Sequence, residues 1–340
     1  MTVNLNGDMS QWTMGNAAAP DMFRLHDTSA AVHTIAQSDD VPSFSLCGRV
    51  IHHSMEITVA TADASLGAAD LTAITYRGEG SELCYLLGGP VRVRLWLKGI
   101  AGTYNLHLSN GAETWSYSQP LTLQASDMWT RFDVFFTEIP YADTDWYLDH
   151  RVGYTVALTL ANGTSSQDEM EKWISPLKFG GPQTNFNATV GNKLKIAGLR
   201  VGDGPLFYEA PEQIKQDCRR YLRTSFEDGV TPADNVGNGT GELTFPAQFA
   251  GAQVQQSAPV SLSPMRKVPT MTGKNPSTGT AGQARAFNAG ACTGTTFDQK
   301  TSHGFRALAT TPAGATVGET IGLHWLADAA LPALTQNVGG

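Results

Sequence analysis

The chain has 340 residues, of which 41 % are apolar and only 16 % charged, with 35 Gly and 17 Pro scattered without a three-residue period. This composition excludes disordered and collagen-like chains, and the length suits two domains of roughly 100–200 residues each. A net charge of −8 without any basic block leaves no electrostatic footprint for a nucleic-acid partner.

The opening stretch MTVNLNGDMSQW lacks the basic start and apolar core of a secretory signal, and no run of about 18 apolar residues follows. The expectation is a chain made in the cytoplasm, without a signal peptide and without a membrane partner. Cys47, Cys84, Cys218 and Cys292 form no C-x-x-C pair, which predicts reduced, mostly buried thiols and neither a zinc site nor a disulfide framework.

Residues 1–205 carry repeated period-2 alternation. In VRVRLWLK, Val91, Val93, Leu95 and Leu97 share one face while Arg92, Arg94, Trp96 and Lys98 share the other. TYNLHLS repeats the scheme, with Tyr104, Leu106 and Leu108 inward and Asn105 and His107 outward, and the intervening GIAG predicts an antiparallel hairpin. TRFDVFF places Phe132, Val134 and Phe136 together, VGYTVALTL does so for Tyr154, Val156, Leu158 and Leu160, and KLKIAGLRV adds another strand. Short antiparallel strands, each with one wet face, predict two stacked sheets of jelly-roll type.

Between 206 and 230 lies a helical pattern, APEQIKQDCRRYLRTSF. Pro211 suits a first turn and Glu212 the positive dipole end. Ile214, Cys218, Tyr221, Leu222 and Phe226 form one stripe, and Gly229 ends it. This predicts an amphipathic helix of about four turns joining the first domain to a second. ELTFPAQF, QARAFN, HGFRALAT and TIGLHWLAD then predict a smaller β-sandwich within 231–340. The fold expected is therefore all-β, with two sandwiches and one linking helix.

The order of NGDMSQWTMG, ADLTAITYRGEG, VRVRLWLKGIAGTYNLHLSNG and LKIAGLRVGDGPLFYEAPEQIKQDCRRYL resembles that of virion proteins of tailed phages and prophages with carbohydrate-binding-module-like jelly-rolls. SPMRKVPTMT and IGLHWLADAAL are similar to the distal domain of such fibre, spike or tail proteins, although EQIKQDCRRYL departs from the usual helix run. The resemblance implies a virion component made in a bacterial cytoplasm, in contact with other virion proteins and host surface polysaccharide. It also implies a homo-oligomer, as trimers in fibres or pentamers at a capsid vertex.

A glycan platform needs an aromatic ring for the apolar face of a sugar and planar donors for its hydroxyls or carboxylates. Arg92, Arg94, Trp96, Asn105 and His107 on the 91–109 hairpin would supply both, with Trp115 and Tyr117 of TWSYS and Trp129 and Arg131 of MWTRF extending the surface. The alternative is that Trp96 is covered by a loop or neighbour and the arginines are paired. Asp143, Asp145 and Asp149 in YADTDWYLDH are a weak calcium candidate, since the spacing lacks the glycine and bidentate glutamate of an EF-hand. No metal-binding His spacing, phosphate loop or dinucleotide fingerprint occurs, so no cofactor and no catalysis are expected. Adhesion competes with a purely structural role and with polysaccharide depolymerisation.

Overall fold

The computed structural model describes residues 4–48, 50–142, 145–202, 211–225, 227–230 and 241–334. The chain is all-β and divides into two compact units. The first is built from Met1–Gln11, Ala17–Ile214 and Leu331–Gly340, the second from Trp12–Asn16 and Lys215–Ala330.

The first unit contains β1 (Phe23–Asp27), β2 (Val32–Ser38), α1 (Phe44–Cys47), β3 (Ser54–Thr61), β4 (Leu71–Glu79), α2 (Gly80–Leu83), β5 (Val91–Gly99), β6 (Gly102–Asn110), β7 (Ser116–Leu123), β8 (Thr130–Phe136), β9 (Val152–Asn162) and β10 (Lys193–Val201). Sheet I has the order β1-β4-β9-β6-β7 and sheet II the order β2-β3-β10-β5-β8, all pairs being antiparallel. The chain passes repeatedly from one sheet to the other, which makes a jelly-roll sandwich.

Alternation places the predicted apolar sets in the core. Leu106, Leu158, Val156, Ile74 and Tyr76 of sheet I line a narrow interior gap with Leu95, Ile196 and Leu199 of sheet II. Burying a large apolar side chain contributes about 1.5–3 kcal/mol, so these facing rows hold the sandwich together.

The hairpin expected between β5 and β6 does not form. β5 pairs β10 and β8, while β6 pairs β9 and β7, so both edges of each strand are taken and GIAG arches from sheet II to sheet I. Nor does every strand keep a wet face, since β4 and β9 are buried along their whole length on both sides.

The helical pattern is shorter than expected. α3 (Pro211–Cys218) runs for eight residues. After Arg219–Tyr221 the chain enters β11 (Leu222–Thr224), which pairs Leu222 with Asp328, Arg223 with Ala327 and Thr224 with Leu326. The open edge of that partner strand satisfies backbone groups that a continued helix would have satisfied, so tertiary pairing overrides the helical period. Ile214, Cys218 and Tyr221 are buried, while Phe226 lies outside the described residues.

The second unit continues with β12 (Leu243–Pro246), β13 (Val254–Gln256), β14 (Val260–Ser261), β15 (Thr270–Lys274), β16 (Ala284–Ala286), β17 (Gly290–Thr301), β18 (Gly304–Thr310) and β19 (Thr320–Asp328). β19 pairs β12 and β16 along its first half and β15 and β11 along its second, so one strand ties together much of the unit's nine-stranded sheet. The core there is small-residue rich, with Ala284, Ala286, Ala307 and Ala309 around Phe245, Phe305, Ile321 and Leu323. All four cysteines are free. Cys218 and Cys292 are buried, but Cys47 is half-buried and Cys84 exposed, against the expectation of mostly buried thiols. Among the described residues, no helix is long and apolar enough to cross a membrane.

Candidate functional site

Alternation on β5 turns Arg92, Arg94, Trp96 and Lys98 onto the outer face of sheet II. Register then fixes their neighbours. Arg92 lies opposite Phe135, Arg94 opposite Asp133 and Trp96 opposite Arg131 on β8; Arg200, Ala197 and Lys195 of β10 stand opposite Arg94, Trp96 and Lys98. Arg92, Arg94 and Arg131 thus cluster around Asp133, and Arg200 stands one strand beyond, on the other side of Arg94.

Arg92 forks onto that carboxylate. Its Nε donates to Oδ1 at 2.6 Å and its Nη2 to Oδ2, while Arg131 Nη2 reaches Oδ2 at 3.3 Å. The Arg92 hydrogen bond, ahead of other causes, holds the Asp133 carboxyl below its ordinary range. The Arg92 guanidinium also sits over the Phe135 ring, 5.0 Å from its centroid, and Phe135 is 53 % exposed.

Farther along the face, Asp40 Oδ2 accepts from Lys195 Nζ at 2.6 Å and Lys98 Nζ at 2.7 Å, and Oδ1 accepts from Trp129 Nε1 at 3.0 Å. Partial burial pulls the Asp40 pKa upward, but these hydrogen bonds, led by Lys195, outweigh it and bring it down to about 2. Trp129 is half-buried by this arrangement. Trp96 is only 8 % exposed, packed with Ile51 and Ala197 under Val41, Cys47 and Trp129. The covering segment turns at Gly48, whose φ of 69° is the left-handed conformation that glycine adopts at least cost. Trp96 is therefore part of the platform's support and is closed to a ligand by the chain itself.

Asn105 and His107 belong to the opposite outer face, that of sheet I, and both are fully buried. Asn105 Nδ2 donates to Gly181 O at 2.9 Å and Gln183 Oε1 at 2.6 Å, and the His107 ring stacks on Phe179 with centroids 4.5 Å apart. Burial drives the His107 pKa down to about 3, so its imidazole is neutral near pH 7. Gly180 has φ of 104° and sits where a Cβ would fall 2.6 Å from Asn105 Cγ, so close backbone approach requires glycine there.

The remainder of this face is closed by Leu177, Phe179 and Leu334 over Leu71, Ala73 and Ala157. Arg77 of β4 is ion-paired with Glu113, donates through Nε to Thr155 Oγ1 at 3.1 Å, and reaches the carbonyls of Pro332 and Ala333 at 2.8 Å each. The shared platform expected from β5 and β6 is therefore split between two opposite faces, because the two strands lie in different sheets.

Trp115 is half-buried, and its Nε1 donates to Asp145 Oδ2 at 3.4 Å. Tyr117 is buried edge-on against Phe136 and Trp173, at 5.3 and 5.6 Å, and extends no surface. Asp149 pairs with Arg151 at 2.9 Å, and Asp143 lies outside the described residues. Asp145 and Asp149 thus serve separate partners, and no group of three metal-ligating side chains occurs among the described residues.

Sequence reasoning missed Asp133 and Phe135, although the wet half of TRFDVFF, Arg131-Asp133-Phe135, was readable by the same alternation that picked out its core half. Arg200 was hidden for a different reason. The register with β5 shifts between Ala197 and Arg200, beside Gly198 at φ 60°, which breaks the period-2 count.

No protein-family model and no curated protein matches the sequence. Among solved structures, the enzymatically active domain of tailspike protein 4 of bacteriophage CBA120 is 11 % identical with a TM-score of 0.35, covering 59 % of this chain and 21 % of its own. This chain thus spans about a fifth of the length of that solved domain. The family 11 carbohydrate-binding module of the cellulosomal cellulase Lic26A-Cel5E of Clostridium thermocellum is 8 % identical with a TM-score of 0.32, covering 58 % of this chain and 98 % of its own. TmCBM61, in complex with β-1,4-galactotriose, is 10 % identical with a TM-score of 0.32, covering 60 % and 99 %. Likeness at this level carries no argument about this chain, whose fold rests on its own strand order and whose site rests on its own side chains.

Proposed function

We propose that the chain is a non-catalytic adhesion subunit of a tailed-phage or phage-derived particle, binding an acidic surface polysaccharide on the outer face of sheet II. One observation carries the ligand reading: Arg92 and Arg131 converge on Asp133 beside the exposed ring of Phe135. Guanidinium groups fork onto carboxylates and hydroxyls, and an open aromatic ring accepts the apolar face of a sugar. The phage assignment is supported by the order of sequence motifs. Several copies in one oligomer would raise the avidity of a shallow site through effective concentration.

The electrostatics of this face favour binding over turnover. Glycoside cleavage needs two carboxyl groups across one sugar, one of them kept protonated. Asp133, Asp40 and Glu56 all have lowered pKa values. Arg92 is the leading cause at Asp133, and at Asp40 and Glu56 lysine hydrogen bonds overcome the upward pull of partial burial.

Titration of the intact protein with an acidic host polysaccharide tests the reading. Replacing Arg131 and Phe135 together by Ala should weaken binding by at least about tenfold, the equivalent of about 1.4 kcal/mol, with no change in the folded state. Equal binding by wild type and double variant would remove this face from the site. A purely structural role is the second reading, favoured by the burial of Trp96, Asn105 and His107. Failure of every acidic and neutral host polysaccharide to bind would select it, and release of reducing ends would select a depolymerase.

A further inference from the structure

The second unit contains a polar recess of about 210 Å³ that the proposed adhesion face does not use. Its walls come from the turn after α3 (Arg219), from β11 (Leu222, Arg223, Thr224), from Asp228 beyond that strand, from Trp325 of β19 and from Thr13 of the N-terminal segment that belongs to this unit. The recess is smaller than the roughly 300–1,000 Å³ pockets that hold larger ligands, and its lining is chemically mixed.

The charges in the recess are unevenly matched. Asp228 accepts from Lys215 Nζ at 2.6 Å and lies 3.7 Å from Arg219, so two cations share that one carboxylate. Arg223 donates through Nε to the carbonyl of Arg219 at 2.9 Å, which anchors the guanidinium at the C-terminal end of the helical segment. Among the described residues, no carboxylate lies within ion-pair distance of Arg223. Burial, and then the positive charge of Arg219, push its pKa down.

The remaining walls define the rest of the ligand. Trp325 is half-buried, with its ring braced edge-on against Phe305 at 5.3 Å. A rigid aromatic wall suits the apolar face of a pyranose, and the Thr224 hydroxyl and Asp228 carboxylate suit its hydroxyl groups. A plain anion would satisfy Arg223 but meet Asp228 with like charge. A neutral sugar could add hydroxyl donors to Asp228 but would bring Arg223 no carboxylate, and none lies within ion-pair distance of it among the described residues. A sugar bearing both a carboxylate and hydroxyl donors satisfies each.

We infer that this recess of the second unit is a binding site for a single uronic-acid residue, with Arg223 holding its carboxylate, Trp325 flanking its ring and Asp228 accepting from its hydroxyls. The site is separate from the face of sheet II and does not depend on it.

The test uses the full chain carrying the Arg131→Ala and Phe135→Ala substitutions, so that the adhesion face is silent. D-glucuronate, D-glucose and inorganic phosphate are titrated separately by calorimetry and by two-dimensional NMR of the tryptophan indole groups, with the Trp325 resonance assigned from Trp325→Phe. Glucuronate should bind and shift the Trp325 indole resonance, and Arg223→Gln should weaken that binding by about tenfold. Arg223→Lys, which keeps the charge but loses the fork, should fall between the two. Unchanged spectra away from the recess would establish that each variant is folded. The inference is overturned if glucose binds as well as glucuronate, if phosphate displaces glucuronate at equal concentration, or if folded Arg223→Gln binds glucuronate like its parent.

Discussion

The two outer faces of the jelly-roll begin from the same ingredients and end differently. Each presents a row of polar side chains on the strand next to one edge: Asn105 and His107 on β6, Arg92 and Arg94 on β5. On sheet I the row is sealed by the chain's own Phe179, Gly180 and Gly181, and its titratable member is held neutral. On sheet II the row keeps its charge, with Arg92 paired to Asp133 and both side chains left partly in water. The difference teaches that a polar stripe on a strand does not by itself mark a wet surface. Groups that can be neutral and hydrogen-bonded tolerate a lid, whereas a cluster of guanidinium groups resists one because desolvating them costs several kcal/mol each.

The strongest way to break this contrast is to remove the lid's anchor. Phe179→Ala should destabilise the first unit by about 3–5 kcal/mol, read from the midpoint of urea unfolding at constant slope. A change below about 1 kcal/mol would mean that the segment merely rests on the sheet. The next test uses pH. Because the folded pKa of His107 lies near 3, below its ordinary 6.5, the unfolded chain takes up a proton first. The stability tied to this group is complete above pH 6.5 and is lost as pH falls from 6.5 towards 3, by a total on the order of 4 kcal/mol. Across that window wild type should lose stability more steeply than His107→Gln, and parallel losses would refute the buried neutral imidazole. The smallest effect belongs to the open face. Trp129→Phe removes the indole hydrogen bond to Asp40 and should cost about 1 kcal/mol, with Lys98 and Lys195 still holding the carboxylate.

These contrasts also mark what could be read from residue order alone. The alternation of β5, β6, β8 and β9 identified their core-facing rows, because period 2 is a local property of an extended chain. Which sheet each strand joins is not local. Gly99 to Gly102 reads as a hairpin turn whether the next strand pairs back or arches across, and here the strand edges were already occupied. The residues expected on one surface are therefore divided: Arg92, Arg94 and Arg131 share an outer face with half-buried Trp129 and the sealed Trp96, while Asn105 and His107 lie on the opposite one. The lid was illegible for a similar reason, since LKFGG has no period and its role comes from glycine's close approach to Asn105. The overlong helix fell to a pairing with β19 about a hundred residues away.

The grip of Arg77 on the carbonyls of Pro332 and Ala333 has a practical corollary. A fragment expressed from the start of the chain to residue 214 would contain every strand of the jelly-roll, yet it would leave a buried guanidinium short of two acceptors and the cluster around Leu334 uncovered. Anyone isolating this module should carry the distal peptide along, fused or added in trans, or expect a protein that is soluble only at the expense of a raw, sticky flank.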